Sequence, residues 1–378
     1  MTKHIMFLVH GMGIYSKKND SGEWEPDNSL WHDAQKKLLS ELFAIYPEIN
    51  RGKTFDDVFD LHPIHNDQVF TTVLDKWSER SDDILNTVTG DALEFGKKLV
   101  GWMKNGKLQE EFFYTHFGDV FLYRFFDHFE QAVQATVQRQ MLEKIIDPAT
   151  GNQPHWSIVG HSLGTKVVLD SVESLYRDST INIGDEIKPA NLIALIANVC
   201  DVLERQDEDV YNTSIFPSRD THNNSACRHL ISTSHKWDFF TLIDPFKPSG
   251  GRWSEAKQSG RFINYRNFDT VDLEAEDWWD VHSFYNYMRH PSIFVPFFMK
   301  MLGMPSAFFP KAKLEQAIKK FEQDNSIDEA LDSRFDEEKK KARKKLRARL
   351  KQEYRTYIKP DLVEFIKKLK TSDLPWKD

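Results

Sequence analysis

The sequence predicts an α/β fold, in which helices cover both faces of a mostly parallel central sheet. Short apolar runs that are typical of buried strands alternate along the chain with segments of helical periodicity. The run at 191–199 is apolar nearly throughout, as expected of a strand that is covered on both faces. The 378 residues, 40% of them hydrophobic, are enough to bury one large core of this kind.

The predicted elements alternate in the order that a parallel sheet requires. Residues 4–10 form an apolar run that Gly11 and Gly13 end, which predicts a buried strand followed by a glycine turn. Further apolar runs predict strands at 57–64, 156–159, 191–199, 229–233 and 262–265. Helical periodicity predicts helices at 30–45, 127–146 and 164–175. Strands that alternate with helices favour parallel pairing.

Composition divides the chain into a main domain and a charged extension. Residues 1–310 are predicted to form the α/β domain, with a helical insertion at about 67–150 that could cap a site. Residues 311–378 are predicted to be helical and carry about six more basic than acidic side chains. Their basic run at 339–351 could contact anionic lipid or an acidic partner, or could form a solvated helix. Apolar residues recur every four positions at Leu346, Leu350, Tyr354 and Ile358, so this stripe could dock on the main domain or on another copy of the chain.

The net charge indicates which kinds of partner to expect, and the cysteine content indicates the cellular compartment. The net charge of −8 gives no reason to expect nucleic acid as the main partner. Cys200 and Cys227 provide neither a disulfide framework nor the spacing of metal ligands, so we expect a cytoplasmic protein without a metal. The first apolar run is too short for a signal peptide, and no segment has the length of a membrane span. Contact with a membrane surface remains compatible with the sequence.

The strongest motif is the Gly-His-Ser-Leu-Gly sequence at 160–164. It follows a predicted strand and precedes a predicted amphipathic helix, which is the context of a strained turn that exposes a nucleophilic serine. The two glycines leave room for such a turn. The motif therefore predicts Ser162 as a nucleophile, and the alternative is a glycine-rich turn without catalysis.

A second motif, His-Gly-Met-Gly at 10–13, follows the first predicted strand. Acyl transfer needs backbone N–H donors that point at the developing oxyanion, one after the nucleophile and one from a neighbouring loop. Leu163 is the candidate for the first donor, and Met12 or Gly11 for the second. An ordinary strand-ending turn is the alternative. A phosphate-binding loop lacks support, because neither Gly-Lys-Ser/Thr nor Gly-x-Gly-x-x-Gly follows.

Together the two motifs resemble the α/β-hydrolase superfamily, in particular its lipase-like and esterase-like serine hydrolases. The resemblance covers about residues 4–290 and implies an α/β-hydrolase fold there. In that family the nucleophile is followed by an acid after a late strand and by a histidine after the last strand. This order implies Asp238 as the acid, with Asp201 as its rival. It implies His282 as the base, with His290 as the next histidine along the chain.

The resemblance implies hydrolysis of a carboxylic ester through an acyl-enzyme on Ser162, without a cofactor. A small-molecule or lipid-like ester is the expected substrate, and a thioesterase or peptidase would use the same groups. The contrasting hypothesis is an inert scaffold that binds a partner through its C-terminal helices. The aromatic-rich segment at 292–309 could face a lipid or pack on the sheet as a helix. Its two prolines argue against an uninterrupted amphipathic helix.

Overall fold

The computed structural model describes the protein in segments that include the whole predicted sheet. The described residues are 3–11, 16–19, 21, 24–27, 31–69, 123, 127–146, 154–177, 187–203, 215–218, 225–235, 238, 241, 246–268 and 282–325. Most of the expected helical insertion and the basic run at 339–351 lie outside these residues, as does Met12.

The chain divides into two compact units. The larger unit falls within residues 1–11, 27–66 and 133–336, and the smaller one within 12–26, 67–132 and 337–378. The described strands of the smaller unit form an antiparallel pair, β2 (Ser16–Lys18) with β3 (Trp24–Pro26). The strands of the larger unit are β1 (His4–Val9), β4 (Phe59–Ile64), β5 (Trp156–His161), β6 (Leu192–Ile196), β7 (Leu230–His235) and β8 (Phe262–Phe268).

Helices connect these strands along the chain. The described helices are α1 (His32–Ala44), α2 (Pro47–Asn50), α3 (Phe55–Val58), α4 (Asp127–Ile145), α5 (Leu163–Arg177), α6 (Cys200–Leu203), α7 (Gly251–Gln258), α8 (Phe284–Met288), α9 (Pro291–Met301) and α10 (Lys311–Asp324). A short 3₁₀ helix, Ser306–Phe308, precedes α10. Among the described residues, no helix combines the length and apolar character needed to cross a membrane.

The six strands of the larger unit form one sheet in the order β4-β1-β5-β6-β7-β8, and every neighbouring pair is parallel. Helices lie on both faces, which confirms the predicted α/β class. All residues of β1, β5, β6 and β7 are buried, as expected for inner strands covered on both sides. Because the strands are parallel, their carboxyl ends share one edge. The loops after β1, β5 and β7 therefore meet at that edge.

The aromatic-rich segment at 292–309 contributes most of its apolar side chains to the core. Nine of the eleven residues of α9 are buried, and the Phe298 ring contacts the rings of Phe43 and Phe59 at centroid distances of 5.1 and 5.9 Å. The expectation that proline interrupts a helix here is wrong for Pro296, which lies inside α9. Proline removes one helical hydrogen bond, but the buried phenylalanines around it stabilise the helix through tertiary packing.

The first helix of the predicted extension packs on the larger unit. Lys313 at the start of α10 pairs with Glu48 of α2. Near its end, Glu322 lies 3.8 Å from the buried ring of His290, and Phe321 contacts the same ring. Described residues up to Asn325 thus belong to the body of the fold.

Candidate active site

Ser162 occupies a strained turn between β5 and α5. Its φ angle is 57°, in the left-handed region that side chains other than glycine rarely adopt. A Cβ atom on Gly160 would lie 2.5 Å from the carbonyl oxygen of Gly164, and one on Gly164 would lie 2.5 Å from that of His10. Both positions therefore require glycine, because a side chain would push α5 away from the strands.

Hydrogen bonds hold the Ser162 backbone in this conformation. Its N–H donates to the carbonyl oxygen of Ile196 at the end of β6 (3.1 Å). Its own carbonyl accepts from the N–H and the hydroxyl of Thr165, at 2.9 and 2.6 Å. Both backbone polar groups of Ser162 are thus paired, and the surrounding structure maintains the strain at this residue.

Three predicted site residues meet through hydrogen bonds. Nε2 of His282 lies 2.8 Å from Oγ of Ser162, and Nδ1 of His282 lies 2.8 Å from Oδ2 of Asp238. An ionised carboxylate can only accept, so Nδ1 carries the imidazole proton and Nε2 accepts from the serine hydroxyl. This arrangement places an unprotonated ring nitrogen against the nucleophile, as general-base activation requires.

The Asp238 carboxylate is fully buried and has a second donor. The Tyr287 hydroxyl donates to the same Oδ2 atom at 2.6 Å. Burial raises the pKa of Asp238, but the charge and hydrogen bonds of His282 and Tyr287 outweigh this effect, so the pKa lies below its ordinary value. Burial first, and then the Asp238 charge, raise the pKa of the Tyr287 phenol well above its usual range. At neutral pH the pair is therefore a carboxylate and a neutral phenol.

His161, which directly precedes the nucleophile, holds the backbone of the candidate base. Its Nε2–H donates to the main-chain carbonyl of His282 at 2.8 Å. The His161 ring stacks on Trp31 at a centroid distance of 6.0 Å and meets Phe284 edge-on at 5.7 Å. The described surroundings of Ser162 thus combine imidazole rings with aromatic side chains.

The predicted oxyanion donors are described in part. Leu163 is the first residue of α5, so its N–H belongs to the group of donors that a helix leaves without an intrahelical partner. Gly11 lies directly against the nucleophile, since a Cβ atom there would be 2.7 Å from Cβ of Ser162. The loop after β1 therefore reaches the serine. Met12, the other candidate for the second donor, lies outside the described residues.

The rival residues lie in other environments. Asp201 lies in α6 after β6, and Asp238 holds Nδ1 of His282 instead. His290 caps α9 by accepting from the Ser292 N–H, and its Nδ1 also lies 2.6 Å from the Ser292 hydroxyl. The hydrogen-bond chain from Ser162 therefore runs through His282 to Asp238. Cys200 and Cys227 are free thiols, and burial raises the pKa of each, which disfavours their thiolates.

Two residues of the site were not predicted from the sequence. Tyr287 lies five positions after His282, where its aromatic character alone resembles that of its neighbours in α8. His161 occupies the variable position before the serine in the glycine motif. In the part of the chain that the structure describes, no cluster of three or more His, Cys, Asp or Glu side chains is arranged to hold a metal.

Comparisons with protein-family models, with curated proteins and with solved structures gave no match to this chain. The class that the structure defines is a parallel α/β protein with a buried Ser–His–Asp hydrogen-bond chain at the carboxyl edge of its sheet. Such an arrangement can deprotonate a serine hydroxyl as it attacks an electrophilic carbon, and can stabilise the imidazolium that results.

Proposed function

We propose that this protein is a serine hydrolase of the α/β-hydrolase type, which cleaves a carboxylic ester through an acyl-enzyme on Ser162. The observation that carries the proposal is the continuous chain of hydrogen bonds from Ser162 through His282 to Asp238. The positive φ of Ser162, between a strand and a helix, supports it as well. So does the order serine, aspartate, histidine along the chain, which is the order of α/β-hydrolases.

The proposed reaction has two halves. Oγ of Ser162 attacks the ester carbonyl while its proton passes to Nε2 of His282, which then gives that proton to the departing alcohol. Water attacks the acyl-enzyme in the second half, and His282 again takes and returns the proton. The ionised Asp238 stabilises the imidazolium in both halves. The Leu163 N–H, with a donor from the loop at Gly11, would stabilise the oxyanion.

We propose a lipid-like ester as the substrate class. Trp31, which is partly exposed, stacks on His161 beside the nucleophile and offers apolar surface to an acyl or alkyl group. The segment at 292–309 does not add to this argument, because α9 is buried in the core. A thioester or peptide would engage the same catalytic groups, so the leaving-group preference is determined by comparing esters, thioesters and amides.

Labelling of the purified full-length chain with a fluorophosphonate tests the proposal. We expect labelling of the wild type and its loss in both Ser162→Ala and His282→Ala, with circular dichroism confirming that each variant is folded. A series of nitrophenyl esters of increasing acyl length then measures the acyl preference, and matched thioesters and amides measure the leaving-group preference. An optimum at long acyl chains supports a lipid-like substrate, whereas an optimum at acetate contradicts it.

A folded wild type that is not labelled would contradict the hydrolase proposal. It would favour the inert scaffold that binds a partner through its C-terminal region. Truncation after Asn325 tests that alternative, because it leaves α10 on the body of the fold and removes residues 326–378. The alternative requires that the truncated chain no longer captures the partner.

A further inference from the structure

The Asp238 carboxylate is shared between the candidate base and a tyrosine. His282 Nδ1 and the Tyr287 hydroxyl both donate to Oδ2, at 2.8 and 2.6 Å. Asp238 and Tyr287 are each completely buried. Water therefore does not screen the carboxylate, and its two donors act on one another through a single oxygen atom.

Tyr287 bridges the two loops that carry the acid and the base. It lies on α8, which begins two residues after His282 and is capped by the intervening Ser283 hydroxyl. On the other side, its ring contacts His235 edge-on at 6.2 Å, and its hydroxyl is 3.5 Å from that of Thr241. Thr241 in turn accepts from the His235 N–H at 3.3 Å. The tyrosine is thus fixed with its hydroxyl directed at the carboxylate.

We propose that Tyr287 is a positioning residue that lowers the basicity of His282 by holding and partly neutralising the Asp238 carboxylate. This inference rests on the proposed function for its catalytic meaning. The phenolic hydrogen presents positive charge to the oxygen that stabilises the His282 imidazolium. It therefore weakens the stabilisation of the charged ring, and His282 remains able to accept a proton at lower pH.

The direction of the effect follows from the groups that face this pair. The groups around Asp238 include His282, Tyr287 and His235, and each of them lowers the pKa of this carboxyl group. The groups around His282 include Asp238, the Ser162 hydroxyl and the His161 ring. Removal of the Tyr287 hydroxyl leaves the other groups in place and takes away one donor to the carboxylate. The potential at His282 becomes more negative, so its pKa rises.

An NMR titration of the His282 imidazole tests this in a protein that need not turn over. In a Ser162→Ala background, Tyr287→Phe should raise the pKa of His282 by about one unit, the order expected when a hydrogen bond to a charged group is lost. Tyr285→Phe is the matched control. It removes a hydroxyl from the same helix, but that hydroxyl contacts Arg289 rather than Asp238. The control should leave the titration unchanged. An unchanged or lowered pKa in Tyr287→Phe overturns the proposal.

A second variant retains the tyrosine ring and should shift the pKa of His282 in the opposite direction. Site-specific replacement of Tyr287 by 3,5-difluorotyrosine makes the phenol a stronger donor, so the pKa of His282 should fall below that of the parent protein. A purely structural tyrosine predicts no such pair of opposite shifts. If Tyr287→Phe does not fold, the difluorotyrosine variant alone tests the proposed role of Tyr287, and an unchanged pKa of His282 in that variant contradicts it.

The acid limb of kcat/KM against pH provides the catalytic readout in chains with Ser162 intact. It should move upward in Tyr287→Phe and downward with difluorotyrosine. If the NMR shifts occur but the wild type is not labelled by fluorophosphonate, the proposed hydrolase function fails and the electrostatic coupling stands. If labelling succeeds and the NMR shifts are absent, the role of Tyr287 alone fails.

Discussion

A buried serine–histidine pair lies near each end of strand β5, and the two pairs differ in what surrounds them. Within the strand, Oγ of Ser157 lies 2.9 Å from Nε2 of His4. After the strand, Oγ of Ser162 lies 2.8 Å from Nε2 of His282. All four residues are buried. Distance and burial therefore do not distinguish a structural pair from a candidate catalytic one.

The charge partner and the backbone do distinguish them. Burial, together with the neighbouring His155, lowers the pKa of His4 to about 3, so this ring stays neutral and is a poor proton acceptor. His282 instead has the ionised Asp238 on its far nitrogen. Ser157 has a regular strand conformation, whereas Ser162 has a positive φ at the start of a helix. A carboxylate and a strained turn thus make the difference.

The largest expected effect distinguishes the two serines, Ser162 and Ser157. Ser162→Ala should abolish fluorophosphonate labelling and lower the turnover of an ester by ~10⁴-fold or more, because the nucleophile is removed. Ser157→Ala should keep both and lower the free energy of unfolding by about 1 kcal/mol. Labelling and urea denaturation of both variants provide the measurement. Equal labelling of the two variants would remove Ser162 from the proposed role.

The next effect concerns the acid. Asp238→Asn should lower kcat by about 10³- to 10⁴-fold, because an amide does not stabilise the His282 imidazolium and can favour the wrong tautomer. Asp201→Asn is the matched control and should retain most of the wild-type activity. Steady-state kinetics on a nitrophenyl ester, with unfolding curves for both variants, would decide between them. A larger loss in Asp201→Asn would make Asp201 the acid.

The turn itself provides a smaller test. Gly164→Ala would place a Cβ atom 2.5 and 2.6 Å from the carbonyl oxygens of His10 and Val9, so α5 must shift and the Ser162 conformation with it. We expect labelling to slow by about 100-fold, since a displacement of about 1 Å has an effect of that order. Gly251→Ala is the control, because a Cβ atom at that position meets no atom within 4 Å. Normal labelling kinetics in Gly164→Ala would show that the turn tolerates a side chain.

The smallest effect concerns the structural pair of His4 and Ser157, and it is measured as a change in the free energy of unfolding. The pKa of His4 is about 3 in the fold and near its ordinary 6.5 when unfolded, so between these values the unfolded chain binds more protons. Stability is therefore lost as pH falls below about 6.5. His4→Gln should reduce the stability difference between pH 7 and pH 5 by about 2 kcal/mol. Urea denaturation at both pH values measures it, and an unchanged difference would contradict the assignment.

The parts of the structure that the sequence predicts are those encoded locally. Ser162 and its flanking glycines are contiguous, so the strand, turn and helix were all foreseeable, and β5 and α5 differ from the prediction at their ends only. Asp238 and His282 follow from the chain order that the resemblance to α/β-hydrolases implies. The structure brings His282 to Ser162 and Asp238 to His282, at the distances given above.

The remaining contacts depend on how distant side chains pack. The hydrogen bond of Tyr287 spans 49 positions and that of His161 spans 121, and no local periodicity encodes either. Pro296 failed as a helix breaker because the burial of α9 outweighs a local preference. Sequence patterns report propensity and order, whereas these features are decided by tertiary packing.

The hydrogen bond from His161 to the His282 carbonyl has a consequence for heat inactivation. It couples the segment that carries the base to the residue next to the nucleophile across 121 positions. Local opening around His282 would separate the base from the serine while the sheet remains intact. We therefore expect labelling to be lost on heating at a lower temperature than the circular dichroism signal of the helices, so that activity reports local unfolding before the domain melts.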